Sequence, residues 1–204
     1  MFRMSDYSNS WNILEKSSIS QKLEEFIFAP RNNLGDKGEK MLVGLIADTH
    51  DCLPMVEKAV KKLNDEGVGL VLHAGDYVAP FVIPRFKELK AKLIGVFGNN
   101  DGDKELLKKR FSENNFDLRG NFTEIIVDDV KIALLHGSEE ELLKALINSG
   151  SFHIIVHGHT HKVEVYSKGK TLIVNPGEVC GYLTGKSTIA ILDTESREVK
   201  IIQL

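Results

Sequence analysis

Leu42-Val-Gly-Leu-Ile-Ala-Asp-Thr-His50 is the stretch on which the reading of this chain turns. Leu42 to Ala47 form a short apolar run with the length and bounds of a buried strand. The run stops at Asp48 and His50, two metal-capable side chains one residue apart. In an extended chain, side chains at i and i+2 leave the same face. Asp48 and His50 therefore point together from the carboxyl end of a strand, where open α/β sheets place their ligands. A carboxylate and an imidazole so held can grip one divalent cation. A strand followed by a polar loop, with Asp48 capping the next helix, is the plainer reading of the same residues. The rest of the chain has to separate the two.

Downstream the pattern turns helical. Met55, Val56, Ala59, Val60 and Leu63 trace one face, Pro54 suits a first turn, and Gly67 and Gly69 end the helix. Gly69 to His73 reads as a second strand, followed by Ala74-Gly75-Asp76. A helix is expected over about 79–89, then a third strand from Leu93 to Phe97, then Gly98-Asn-Asn-Asp101. A third helix is expected over about 103–114, with Leu106, Leu107 and Phe111 inward. The texture changes near residue 120. Phe122 to Val127 and Val130 to Leu135 read as a hairpin joined at Asp128-Asp129, and its second strand runs into His136-Gly137-Ser138. A helix over about 139–148 follows, then a strand from Phe152 to Val156, then His157-Gly-His-Thr-His161. Strands at 163–167, 171–174, 187–193 and 198–203 finish the chain, with turns at Lys168-Gly169 and Glu195-Ser196. The front is βαβαβα and the back mostly β, which gives one α/β domain over 41–204, two packed sheets with helices outside them.

Residues 1–40 differ. Ser, Asn and Lys are frequent, and Pro30, Gly35 and Gly38 punctuate the exit. Ile19, Leu23, Phe26 and Ile27 recur at helical spacing, so a short amphipathic helix is expected over about 18–28, with a linker over 31–40. Met41 stands directly before the first strand. Two explanations are open: the natural start is Met41, or the segment is an arm that packs on the body or on a neighbouring subunit of a homo-oligomer. Neither gives it chemistry. Across all 204 residues, 42% are hydrophobic and 27% charged, which suits a soluble domain with a substantial core. The formal net charge of −3 supplies no global basic field, which argues against nucleic acid as the partner. Cys52 and Cys180 make no disulfide framework, so a reducing cytoplasm is the simplest setting. There is no apolar run long enough for a transmembrane helix, and no secretory-signal layout.

The metal-capable residues at strand ends are Asp48, His50, Asp76, Asn99, His136, His159 and His161. Polar loops at strand ends are common, but five that each carry Asp, Asn or His are hard to assign to chance. Four of the seven histidines belong to this set. Seven groups are too many for a single catalytic ion that must keep an open position. They suit two ions that share a carboxylate. Imidazole and oxygen donors without thiolate favour Mn, Fe, Zn, Ni or Co over Mg or Ca. Two ions about 3.5–4 Å apart can hold two oxygens of a phosphoryl group and activate a water between them.

Asp48-x-His50, Gly75-Asp76, Gly98-Asn99-x-Asp101, His136-Gly137 and Gly158-His159-x-His161 occur in the order of the calcineurin-like metallophosphoesterases, and the chain resembles their small stand-alone archaeal and bacterial phosphodiesterases. The likeness includes Asn175-Pro-Gly-Glu178 and covers 41–204. It implies a four-layer αββα sandwich of two mixed sheets with helices on both outer faces. It implies that Asp48, His50 and His161 hold one ion, that Asn99, His136 and His159 hold the other, and that Asp76 bridges them. His157 falls outside that ligand set and is read as a neighbour of the site. The activity implied is hydrolysis of a small phosphodiester by in-line attack of hydroxide bridging the two ions.

Two positions depart from the family pattern. Many relatives carry His after the motif Asn, where this chain has Asn100. An amide is no general acid, although it can donate a hydrogen bond to a phosphate oxygen. Good leaving groups such as aryl esters are therefore expected to be favoured. Asp101 is an alternative proton source, with orientation of the loop as its plainer role. Ala79 stands where the block Gly-Asp-x-x-Asp has its second Asp. Cys52 and Cys180 are read as loop or packing thiols, His73 as a satisfied histidine near the core, and the basic residues of 104–110 as a solvated helix face. Two rival functions are a nuclease, against which the acidic balance argues, and a non-catalytic scaffold on the same fold. A scaffold is expected to have lost ligands, and all seven positions hold coordinating residues.

Overall fold

The opening apolar run forms β1 (Leu42–Ile46) and is followed by α1 (Leu53–Asp65), β2 (Leu70–His73), a 3₁₀ helix (Pro80–Phe86), β3 (Lys92–Gly95), α2 (Lys104–Glu113) and β4 (Asp117–Leu118). Then come β5 (Phe122–Val127), β6 (Val130–Leu135), α3 (Glu140–Ser149), β7 (Ile154–Val156), β8 (Val163–Lys168), β9 (Thr171–Pro176), β10 (Thr188–Asp193) and β11 (Val199–Gln203). The computed structural model describes residues 41–204, so the expected helix over 18–28 and linker over 31–40 lie outside the described residues.

The strands make two mixed sheets. One has the order β11-β10-β1-β2-β3-β4 and the other β5-β6-β7-β9-β8. β1, β2, β3 and β4 run parallel, as do β6, β7 and β9. Parallel neighbours bring their carboxyl ends to one edge of each sheet.

Period-two alternation divides each buried strand between two cores. Val43 and Leu45 of β1 join Leu70, Leu72 and Ile94, and meet Ile132, Leu134, Ile154, Val156 and Val174 of the second sheet. Ile46, Val71 and Leu93 face the other way, onto Val56, Ala59, Val60 and Leu63 of α1 and onto Leu107 and Phe111 of α2. Leu143, Leu146 and Ile147 of α3 cover Ala133, Leu135, Phe152 and Ile155 on the second sheet's outer face. The result is the expected αββα layering.

Two elements depart from the sequence expectation. The helix expected over 79–89 is a 3₁₀ helix over Pro80–Phe86 with Pro84 inside it. Proline has no N–H for the α-helical ladder and its ring crowds the preceding turn, so a short, tighter helix forms instead. The two-residue β4 was not expected. It is too short to show a period, and it pairs beside Ile94 and Gly95. The hairpin at Asp128-Asp129 is present. Both residues have positive φ, 47° and 63°, as the favoured two-residue hairpin turn requires.

Candidate metal centre

Every predicted ligand lies just beyond a strand at the shared edge. Asp48 and His50 follow β1, Asp76 follows β2, Asn99 follows β3, His136 follows β6, and His159 and His161 follow β7. Asp48, Asp76, His136 and His161 are buried, His50 is half-buried, and Asn99, Asn100 and His159 are exposed. The group is thus closed below by the sheets and open to solvent on the side of the asparagines.

The two sheets meet through polar contacts at this edge. His136 Nδ1, from the second sheet, lies 2.8 Å from Ala74 O on the first. The backbone N–H of His159 donates to Asp48 Oδ2 at 3.1 Å. Gly158 allows the approach, because a Cβ there would stand 2.7 Å from Ala47 Cβ and 2.8 Å from Asp48 Oδ2. Gly98 does the same on the first sheet, where a Cβ would lie 2.5 Å from the Asp76 backbone nitrogen.

Asp76 sits at the centre. Its Oδ2 is 3.3 Å from His50 Nε2 and 3.3 Å from His136 Nε2. Asp48 Oδ1 lies 3.8 Å from His50 Nε2 and 3.6 Å from His161 Nε2. Asn99 Oδ1 lies 2.9 Å from His136 Nε2. The His159 ring stands edge-on to the His136 ring at 5.2 Å between centroids, and those of His50 and His161 are 5.0 Å apart. Among the described residues three groups have ligand atoms mutually within 4.8 Å: Asp48 with His50 and His161, Asp48 with Asp76 and His136, and His161 with Glu178 and Cys180.

Whether these residues fit a cation can be judged from their hydrogen bonds. Asp48 Oδ1 and His50 Nε2 are buried and have no hydrogen-bond partner. A buried polar atom left unpaired costs about 1–3 kcal/mol, and more when charged. Both are potential ligand atoms on one small volume, and a cation there would satisfy both. The backbone carries strain at the same place. Asp48, His50, Asp76, His159 and His161 all have positive φ, between 38° and 69°. Each such residue costs of order 1–3 kcal/mol and persists only where surrounding packing dictates it.

The electrostatics follow from the shared carboxylates. Asp48 and then Asp76 raise the His50 imidazole from 6.5 to about 9, against the opposing effect of burial. Burial lowers His136, but Asp76 beside it brings the net shift upward. Burial pushes the Asp76 carboxyl up, but His136 and His50 overcome this and hold it well below the usual carboxylate range.

A second ring of residues sets the geometry. Asp101 is buried and accepts four backbone N–H groups: Tyr77 at 2.7 Å and Val78 at 2.8 Å on Oδ1, Gly98 at 2.7 Å and Asp76 at 3.2 Å on Oδ2. It ties the loop carrying Asp76 to the loop carrying Asn99, in line with the orienting role expected for it. Asn100 grips Asp76 from the same loop, its backbone N–H on Oδ1 at 2.9 Å and its amide on Oδ2 at 2.8 Å. At Ala79, the backbone N–H donates to Asp51 Oδ1 at 2.9 Å. His73 is fully buried and satisfied: Gly75 N–H donates to its Nδ1, which leaves Nε2–H for Thr49 Oγ1 at 3.2 Å. Burial lowers its imidazole to about 3, so it stays neutral. His157 is buried with Nδ1 3.2 Å from Gly158 O.

Sequence reasoning gave no role to Glu178. Its carboxylate is buried and holds His161 Nδ1 at 2.7 Å. Burial raises the Glu178 carboxyl, but His161, Cys180 and Thr184 bring it down to about 2. Cys180, expected as a packing thiol, donates to Glu178 Oε2 at 3.0 Å, and burial together with that carboxylate pushes the thiol up to about 12.

The model of the calcineurin-like phosphoesterase superfamily domain matches residues 41–197. The chain belongs to that superfamily. Within it, the chain is 44% identical over 168 residues to phosphodiesterase MJ0936 of Methanocaldococcus jannaschii, a match that covers 80% of this chain and 99% of that protein. A solved structure described as a novel archaeal phosphodiesterase superposes with a TM-score of 0.77 at 42% identity, over 80% of this chain and 100% of that one. A more distant likeness in fold is Vps29 of Entamoeba histolytica, solved as a zinc complex, with a TM-score of 0.55 at 22% identity over 80% and 98% of the two chains. Superfamily membership places the chain among the phosphoesterases, and no helix among the described residues is long and apolar enough to cross a membrane.

Proposed function

We propose that this chain is a phosphodiesterase that cleaves small phosphodiesters with the help of two divalent ions, drawn from Mn, Ni, Fe, Zn and Co. The observation that carries the reading is the buried Asp76 Oδ2, equidistant at 3.3 Å from His50 Nε2 and His136 Nε2 on opposite halves of the site. In this reading Asp48, His50 and His161 hold one ion, Asn99, His136 and His159 hold the other, and Asp76 joins them. Residues 41–204 form the catalytic body and residues 1–40 an extension. The 44% identity to a relative named as a phosphodiesterase, over nearly all of that relative, supports the class of reaction.

When bound, such ions neutralise charge on the phosphoryl oxygens and lower the pKa of water from 15.7 to about 7. The chain supplies placement. Ala74 O fixes the His136 ring, and Asp101 fixes the loops that carry Asp76 and Asn99. The ligand set contains no nucleophilic hydroxyl or thiol. In this reading hydrolysis would proceed by attack of hydroxide on phosphorus, in line with the leaving oxygen and without a covalent enzyme intermediate. Asn100 spends one amide N–H on Asp76 Oδ2 and has a second for a phosphate oxygen on the open side. It has no proton to transfer to a leaving alkoxide, so aryl diesters are the better substrates.

The test is hydrolysis of a synthetic aryl phosphodiester with added Mn²⁺ or Ni²⁺. Activity should appear with metal, vanish with a chelator, and fall at least about 100-fold in Asp76→Asn. Full activity in that variant would refute the bridging role.

A further inference from the structure

We infer that Glu178 is a positioning residue that fixes the tautomer of His161 and thereby turns a bare Nε2 toward the site. The inference rests on the metal reading above and adds a residue to it. Glu178 lies just beyond β9, and its side chain is fully buried. Its Oε2 is 2.7 Å from His161 Nδ1, 3.0 Å from Cys180 Sγ and 3.2 Å from Leu183 N. Its Oε1 accepts from Leu183 N at 3.1 Å, Thr184 N at 2.6 Å and Thr184 Oγ1 at 2.7 Å.

An ionised carboxylate accepts hydrogen bonds and cannot donate. The hydrogen on the His161–Glu178 contact therefore sits on His161 Nδ1. A neutral imidazole has one N–H, so Nε2 is left with its lone pair, and Nε2 is the atom 3.6 Å from Asp48 Oδ1. His136 likewise has an acceptor behind Nδ1, the carbonyl of Ala74 at 2.8 Å. One histidine on each half of the site thus has an acceptor behind its Nδ1.

The atoms of His161, Glu178 and Cys180 are close enough together that Glu178 could be taken for a metal ligand itself. The hydrogen bonds argue otherwise. A carboxylate has about four lone-pair sites, and donors from His161, Cys180, Leu183 and Thr184 already fill them. What remains for Glu178 is to act on His161.

Glu178→Gln discriminates this role from bulk packing because it keeps the shape and replaces one acceptor by a donor. The Oε1 side faces the Leu183 and Thr184 backbone N–H groups, which cannot reverse direction. The amide NH₂ is therefore driven to the other side, against His161 Nδ1, whose proton can move. The ring then accepts at Nδ1 and carries its hydrogen on Nε2, which blocks that atom as a ligand.

The experiment is calorimetric titration of metal-free protein with Zn²⁺, together with long-range ¹H–¹⁵N correlation spectra of the metal-free wild type. The wild type should take up two equivalents and show the His161 proton on Nδ1. Glu178→Gln should bind one of the two about 10–100-fold more weakly, with unchanged far-UV circular dichroism. Two sites of wild-type affinity in the variant, or a His161 proton on Nε2 in the wild type, overturn the inference and leave the functional reading intact. The wild-type spectrum decides the question even where the variant does not fold. A wild type that takes up no Zn²⁺ overturns the functional reading and this inference with it.

Discussion

Replacing Asp101 by Asn tests whether the site is held by backbone donors converging on one carboxylate. Asp101 takes Tyr77 and Val78 N–H on Oδ1, and Gly98 and Asp76 N–H on Oδ2. The asparagine amide has one oxygen and one NH₂, so whichever way it turns, two backbone donors face another donor. Each buried donor left unpaired costs about 1–3 kcal/mol, so the variant loses about 2–6 kcal/mol. A domain is stable by about 5–15 kcal/mol, so the variant stays folded over most of that range. For a chain of this size, each 1 kcal/mol lowers Tm by about 2–4 °C. Thermal unfolding of the metal-free protein, followed by circular dichroism, should therefore show Tm down by at least about 4 °C. The loops tied by Asp101 carry Asp76 and Asn99, so the variant should also bind divalent ions more weakly. A Tm within 1 °C of the wild type would refute the claim that these four contacts hold the loops.

Metal uptake should depend on pH with a definite sign. His50 is raised to about 9, so in metal-free protein it retains a proton that an ion has to displace, and the upward shift of His136 acts in the same direction. Apparent affinity for Mn²⁺ should climb about tenfold per pH unit between 7 and 9 for the His50 proton alone, and calorimetry in buffers of different ionisation enthalpy should register proton release; a flat profile would contradict the pairing with Asp48 and Asp76. The same shift makes the His50 contribution to metal-free stability complete below pH 6.5 and lost as pH rises through about 9. Asn100→His should narrow the rate gap between aryl and alkyl diesters by up to about 100-fold, since it restores a group able to protonate the leaving oxygen; an unchanged ratio would show that this position does not limit leaving-group departure.

Much of the arrangement was legible because two signals coincide in this chain. Apolar runs such as Leu70–His73 and Ile154–Val156 have the length of buried strands, and a candidate ligand, Asp76 or His159, follows three residues after each. Period and residue type sit on the same stretch, so the strand and the candidate ligand are read together. Where the signals separate, the reading fails. The segment after Asp76 has apolar residues at helical spacing, but Pro84 inside it removes a hydrogen bond that an α-helix needs. β4 has two residues and no period to detect. Glu178 is the most instructive miss. In sequence it is an acidic residue in a loop after proline and glycine, where a solvated carboxylate is the usual outcome. Its burial depends on contacts that no local pattern carries: His161, 17 residues earlier, and the turn of the chain that brings Leu183 and Thr184 back onto it.

The left-handed backbone at the ligands was equally invisible, and it bears on how the site arose. Period-two reasoning puts Asp48 and His50 on one face of an extended chain, but both have positive φ, 53° and 38°. The chain has already left the strand at Asp48, whose N–H donates to Gly75 O at 3.1 Å, and the next turns are set by His50 N–H on Asp76 O at 3.1 Å. The two side chains do converge, by a loop bent against the neighbouring strand end and not by strand alternation. This loop is built from backbone bonds between β1 and β2, so the distance between Asp48 and Asp76 is fixed by sheet register. A substitution that shifts the register of β1 against β2 should therefore separate these two carboxylates, even if every ligand residue is kept.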